Sequence, residues 1–239
     1  MDNVDLRNRR GSILRAAGQV QMLTSLVVLP SIAVSWYDRD GYTFELCEVF
    51  LLMLAIGLLL WLPFRRCYAE LRLRDGFLVT TAVWLVTSFA CALPLILAPP
   101  YLSFTHAVFE SVSGLTTTGA TVIVGLDALP DSIRLYRQTL CFYGGMGIVV
   151  LAVAILPTLR IGGLQLTKGE TSGPIKDAKL TPRIAQTAAA LWLVYVGLVA
   201  LCALCFWLAG MSLFNAIGHA FSTVSTAGFS THDANLGHY

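Results

Sequence analysis

Residues Ser113–Thr121 read Ser-Gly-Leu-Thr-Thr-Thr-Gly-Ala-Thr, a run of hydroxyls and glycines with hydrophobic segments on both sides. A second run, Thr223-Val-Ser-Thr-Ala-Gly-Phe-Ser230, follows about a hundred residues later. Neither has the unbroken aliphatic character of a membrane helix, yet the rest of the chain is strongly apolar. Of 239 residues, 56% are hydrophobic and 13% charged, against roughly 25% charged in soluble domains. With a mean hydropathy of +0.71, the composition implies an all-α integral membrane protein and excludes a soluble domain.

A bilayer core about 30 Å thick needs roughly 20 apolar residues per helix. Five stretches satisfy this, at about 16–37, 45–64, 77–98, 136–157 and 184–209. Each holds a proline or glycine capable of kinking it: Pro30, Gly57, Pro94, Gly144 to Gly147, and Gly197. Basic residues set the expected orientation, because cytoplasmic connections are enriched in Lys and Arg. Thirteen of the 16 basic residues fall on one side, at the amino end, near 65–74 and within 160–183, with Arg39, Arg134 and Arg137 on the other. The amino terminus is therefore expected in the cytoplasm. The first apolar run ends in Trp36-Tyr-Asp-Arg-Asp40 without small residues, so no cleavable signal is expected. The six cysteines lie in or beside apolar segments and read as packing residues, Cys202 and Cys205 included.

On that topology the first hydroxyl run lies between an outward and an inward helix, and the second follows an outward helix. Residues 103–113 read as a short helix with Ser103 as its N-cap, long enough for about half a bilayer. It is expected to dip into the membrane and return, leaving the polar run near mid-depth, where irregular backbone survives only buried in protein or lining a cavity. A shift of 109 residues superposes the two regions: Ser103 on Ser212, Ala107 on Ala216, Ser113 on Ser222, Thr117 on Thr226 and Gly119 on Gly228. The unit is helix, pore loop, helix, repeated in parallel about an axis along the membrane normal. The expected division is residues 1–75 for two leading helices, 76–160 for the first unit, 161–183 for a cytoplasmic loop, and 184–239 for the helix and pore loop of a second unit, which the sequence ends before closing.

Glycine reaches the backbone angles that turn carbonyls inward without steric penalty, and carbonyls of such a loop can replace an ion's water shell. A half-helix aims its partially negative C-terminal end at the loop, which favours a cation. No Asp or Glu lies within 113–121 or 223–230, so the oxygens are neutral and suit a weakly hydrated monovalent ion better than Ca²⁺ or Mg²⁺. The hydroxyl-glycine runs therefore point to an ion path.

Four segments together, FESVSGLTTTGATV, YGGMGIVVLAVAILP, SGPIKDAKLTPR and FSTVSTAGFSTHDANLG, closely resemble the TrkH subunit of bacterial Trk potassium-uptake systems, within the Trk/Ktr/HKT superfamily. The resemblance runs from the first helix to the last residue. It implies two leading helices and then four helix–pore loop–helix units around one pore, each contributing a filter segment with a single glycine. Carried onto this chain, it implies potassium coordination by Thr117, Thr118 and Gly119 in the first segment and by Thr226, Ala227 and Gly228 in the second. It further implies channel-like potassium translocation across the bacterial inner membrane, homodimers, and a cytosolic nucleotide-binding TrkA-type subunit that gates the pore. Neither a cofactor nor a nucleic-acid partner is expected. Members of the family are roughly twice this length, so the third and fourth filter segments and the gating loop of the third unit are not in this sequence, which reads as a fragment or truncation.

Competing readings remain beside this one. An intramembrane hydrolase would pair a Ser or Thr with His106 or His219, which needs a nucleophile and base within hydrogen-bond reach; the hydroxyls come instead as a repeated run. A non-conducting remnant or assembly partner of the same transporter fits the length. His106, Glu110 and His219 on the half-helices either tune the field near the ion or serve as hydrogen-bonded structural residues. Gly144-Gly-Met-Gly147 reads as a close helix-packing patch. The loop 158–183 is a candidate dock for the gating partner or an ordinary basic loop, and its Gly163 to Lys168 portion lacks the phosphate-binding pattern.

Overall fold

The computed structural model describes residues 3–67, 73–159 and 180–239. The described residues are helical and contain no strand. The loop expected at 161–183, with its candidate docking role, lies outside them as far as residue 179.

The amino-terminal apolar region is broken where proline demands it. Helix α1 (Asn3–Ser25) passes through a 3₁₀ turn, Leu26–Val28, into α2 (Leu29–Asp38), whose first turn holds Pro30. Pro30 cannot donate to the carbonyl four residues back, and its ring crowds that carbonyl. The same break recurs between α4 (Leu73–Cys91) and α5 (Leu93–Leu97), with Pro94 in the first turn of α5. The glycines behave differently from expectation. Gly57 sits inside the uninterrupted helix α3 (Thr43–Trp61) and Gly197 inside α8 (Leu180–Leu208). A Cβ on Gly57 would lie 2.8 Å from the Met22 amide nitrogen, and one on Gly18 would lie 2.8 Å from the Gly57 carbonyl oxygen. Gly57 is thus there to bring α3 against α1, with the helix unbent.

Four stretches of the described residues are long and apolar enough to cross a membrane: Arg10–Asp38, Thr43–Phe64, Gly76–Leu97 and Gln186–Leu208. Helix α7 (Asp131–Leu159), 29 residues long, occupies the remaining expected stretch. Between the long helices lie two short ones, α6 (Phe104–Leu115) and α9 (Leu213–Val224), each of 12 residues. At 1.5 Å per residue each is about 18 Å long, or half a bilayer.

Helix α7 is the centre of the arrangement. Its neighbours are α2, α6, α8 and α9, while α1 packs on α3 and α4. One buried core joins Val28, Met53, Leu95, Ala107, Leu115, Tyr136 and Leu140. A second joins Tyr195, Val199 and Ala220 around Phe142 and Phe221. Large apolar side chains such as Leu59, Leu193 and Leu208 stand outward with about three-quarters of their surface exposed, as a lipid-facing surface would have them. Along the chain α4 and α5 are followed by α6 and α7, and these by α8 and α9.

Candidate functional site

The two half-helices end alike. Helix α6 starts at the Ser103 N-cap with φ −59° and ψ 154°, and α9 at Ser212 with φ −60° and ψ 152°. Only Ser212 uses its hydroxyl as a cap, accepting from the Asn215 amide at 3.3 Å; Ser103 holds the cap position without a side-chain bond. At the other end the chain turns on a left-handed threonine, Thr117 at φ 55° and Thr226 at φ 57°. The Thr118 amide then donates back to the Ser113 carbonyl at 2.9 Å, and the Ala227 amide to the Ser222 carbonyl at 2.9 Å. This is the Schellman closure of a helix, normally built on glycine. A β-branched residue there is strained, by about 1–2 kcal/mol. The strain recurs at equivalent positions, 109 residues apart.

Two residues further on, Gly119 and Gly228 take φ values of 75° and 148°. A Cβ built on Gly119 would fall 2.8 Å from the Ala227 oxygen and 3.0 Å from the Gly228 Cα. The two segments thus meet backbone to backbone at Gly119, Ala227 and Gly228, three of the six residues expected in the filter. Thr117, Thr118 and Thr226 complete the turns beside them. Thr118 and Thr226 are exposed and Thr117 is half-buried. A cleft of about 260 Å³ opens on the second segment, with Ser222, Thr226, Ala227, Gly228 and Asn235 in its wall. The Ser222 hydroxyl accepts from the Gly228 amide at 2.9 Å, and Asn235 Nδ2 donates to the Gly228 carbonyl at 3.4 Å.

The glycine patch on α7 lets this helix touch both half-helix ends. A Cβ on Gly144 would stand 1.9 Å from the Leu115 carbonyl oxygen, and one on Gly145 would stand 2.8 Å from Ser225 Cβ. The packing expectation for Gly144 and Gly145 is met. Gly147 differs, because its nearest neighbour would be Trp84 at 4.0 Å.

Behind the segments lies a polar network that the sequence did not disclose. Glu110 on α6 and Arg137 on α7 form a salt bridge of 2.7 Å with both side chains fully buried. The Glu110 carboxylate also accepts from the Thr121 hydroxyl at 2.8 Å and from the Val122 amide at 3.1 Å, so it grips the limb leaving the first segment. Arg137 reaches the second segment, donating to the Ser230 carbonyl at 3.2 Å and lying 4.3 Å over the Phe229 ring. Arg134, one turn earlier, donates to the next carbonyl, Thr231, at 3.3 Å. On α9, His219 is the repeat counterpart of Glu110 and bonds the Thr231 hydroxyl at 3.3 Å. Glu110 and His219 therefore serve as hydrogen-bonded supports of the two limbs. Arg137, allotted by the sequence to the outer charge balance, is buried at the centre. An ionisable residue inside an apolar stretch is by default a functional one with a partner, and that rule would have singled out Arg137 beside Glu110.

Asp40, between α2 and α3, fixes the start of α7 by accepting from the Ser132 hydroxyl at 2.6 Å; it also accepts from the Ser35 hydroxyl and from the Tyr42 amide at 3.0 Å. Burial works against its charged form, but these hydrogen bonds outweigh it and hold the carboxyl below its ordinary value.

The arrangement is a rigid frame that presents two strained, carbonyl-bearing turns side by side at the negative ends of two half-helices, without a carboxylate in either turn. Comparison with known proteins gives the family. The family model for the TrkH cation transport proteins matches residues 43–239. The Trk system potassium uptake protein TrkH of Vibrio parahaemolyticus is 52% identical over 229 residues, covering 95% of this chain and 47% of its own. The protein of the same name in Escherichia coli K12 is 50% identical over 230 residues, with the same coverage. The crystal structure of the potassium transporter TrkH from V. parahaemolyticus superposes with a TM-score of 0.83 at 49% identity, covering 96% of this chain and 46% of that one. The chain spans about half the length of the curated relatives it matches. With its fold, both segments and nearly its whole length aligned, the chain belongs to the TrkH family of cation transport proteins.

Proposed function

We propose that this chain supplies two of the filter segments of a potassium-conducting pore. In this reading the carbonyls of Thr117, Thr118 and Gly119 and of Thr226, Ala227 and Gly228 replace the water around a potassium ion. The observation that carries it is the repeated turn: two half-helices end on left-handed threonines, and their following glycines meet at backbone contact. Neutral oxygens at the negative ends of helix dipoles stabilise a monovalent cation without binding it too tightly to leave. The printed names of the relatives, potassium uptake proteins and a potassium transporter, support potassium as the ion. The chain holds no cofactor in this reading and performs no covalent chemistry. It sits in the bacterial inner membrane with its amino end in the cytoplasm, pairs as a homodimer, and takes a cytosolic nucleotide-binding TrkA-type subunit as regulator.

A second reading has a specific observation behind it, because the matched relatives are about twice as long as the aligned region. Here the chain frames half a filter and conducts only when the other half is supplied. Thallium flux into liposomes bearing the 239-residue chain tests the two. Flux that Gly119→Ser abolishes or makes unselective supports a pore assembled from several copies. Absence of flux from the wild type favours the half-filter reading, and flux unaltered by Gly119→Ser overturns the filter assignment.

A further inference from the structure

Beyond the two segments the chain brings together three metal-ligating side chains that play no part in the potassium reading. Asp127 lies in a 3₁₀ turn, Leu126–Ala128, on the limb that leaves the first segment. His232 lies four residues after Gly228, and His238 closes a short 3₁₀ helix, Asn235–His238. One ligand atom from each falls within 4.8 Å of the others. The His232 Nδ1 atom is hydrogen bonded to the Asp127 carboxylate across 105 residues of sequence. The rings of His232 and His238 stack with centroids 3.8 Å apart and 2° between planes. The other ring nitrogen of His232, Nε2, is buried without a partner. A second bond joins the same limbs, from the Gly125 amide to Asp233 at 3.0 Å.

We propose that Asp127, His232 and His238 form a binding site for a borderline divalent transition ion of the Zn²⁺ class. Two imidazoles and one carboxylate are a donor set suited to Zn²⁺, Ni²⁺ or Cu²⁺ and not to Ca²⁺ or Mg²⁺, which take oxygen ligands. Donors about 2.1 Å from one ion stand no more than about 4.2 Å apart. The present spacing is close to that, but two parallel stacked rings cannot both aim an in-plane lone pair at one ion, so binding requires the exposed His238 side chain to swing out of the stack towards Asp127 and His232. The metal takes the place of the hydrogen bond between His232 Nδ1 and the Asp127 carboxylate, and water fills the remaining tetrahedral position. Because Asp127 follows the first segment and the histidines follow the second, a bound ion ties the two exit limbs together. Asn235, in the same short helix as His238, is already bonded to the Gly228 carbonyl, so the clamp ends beside the second segment. This inference goes beyond the potassium reading and stands independently of flux.

The test uses the purified 239-residue chain in lipid nanodiscs, with Co²⁺ as a spectroscopic probe and Zn²⁺ as competitor. The expected result is one Co²⁺ per chain with visible bands of a nitrogen–oxygen site, no thiolate-to-cobalt charge-transfer band, and displacement by Zn²⁺. His232→Gln and His238→Gln each lose that binding while keeping wild-type far-ultraviolet dichroism, and His106→Gln retains it. Should a histidine variant misfold, Asp127→Asn at the exposed carboxylate gives the same reading with less disturbance. Absence of a stoichiometric site, a thiolate band, or binding that survives His232→Gln and His238→Gln overturns the proposal.

Discussion

Replacing Glu110 by Gln removes one charge from a pair with no solvent exposure on either side. The glutamate now accepts from four donors: Arg137 Nε and Nη2 on Oε1, the Val122 amide on Oε2, and the Thr121 hydroxyl, which lies within reach of both oxygens and closer to Oε1. The glutamine amide must put its NH₂ where one of those oxygens was. At Oε1 it meets the guanidinium donors, and at Oε2 it meets the Val122 N–H. Either orientation leaves the Arg137 cation buried without its counter-charge. Breaking such a pair from one side costs about 3–5 kcal/mol. For a chain of this size that is a fall in melting temperature of roughly 6–20 °C. The assay is a thermal melt of Glu110→Gln, Arg137→Met and the double variant in one detergent. Removing both charges abolishes the uncompensated ion, so the double variant should melt above the value expected by adding the two single effects. A Glu110→Gln melt within about 2 °C of wild type, or strict additivity in the cycle, would refute the claim that this pair holds the limbs in place.

Three further predictions concern the frame. Gly144→Ala drives a methyl into the Leu115 carbonyl and should destabilise by about 1–3 kcal/mol or more, whereas Gly147→Ala, facing only Trp84 at 4.0 Å, should be neutral or slightly stabilising; equal melts for the two would contradict the packing. Thr226→Gly should be more stable than Thr226→Val by about 1–2 kcal/mol, because valine keeps the β-branch in a left-handed turn and loses the hydroxyl; denaturation curves in which the two coincide would contradict that turn. Asp40 has a lowered folded value, so its contribution is present above the ordinary 3.8 and lost as pH falls through the folded value. Asp40→Asn should flatten the acid limb of the melting-temperature profile in that window, and an unchanged limb would exclude Asp40 as its source.

Much of this frame is legible in the sequence because it rests on local rules. Apolar length gives the long helices, the 109-residue repeat gives the two half-helices, and Pro30 and Pro94 mark the breaks, since a missing N–H acts whatever surrounds it. The hydroxyl-glycine runs foretell turns, and Gly119 and Gly228 stand at positive φ as expected. What stays hidden depends on partners distant in the chain. Glu110 and Arg137 are 27 residues apart, and no local pattern says that one side chain meets the other. Asp40 reads as the polar end of a span until Ser132, 92 residues on, is seen to bond it. Gly57 looks like a hinge because glycine permits bending, but its use here is to admit α1, which only the packing discloses. The left-handed threonines escaped notice for another reason: Thr at that position goes against local preference, and the surrounding frame enforces it.

The central claim, that the paired segments bind potassium, is tested most directly by ion-dependent stability of the chain itself. A ligand that binds only the folded state raises the melting temperature with its concentration. The 239-residue chain should melt progressively higher as potassium or rubidium replaces sodium at constant ionic strength. Gly228→Ala, which forces a side chain onto a backbone at φ 148°, should melt alike in both salts. Superposable melts of the wild type in potassium and sodium, or a potassium effect that survives Gly228→Ala, would contradict the account.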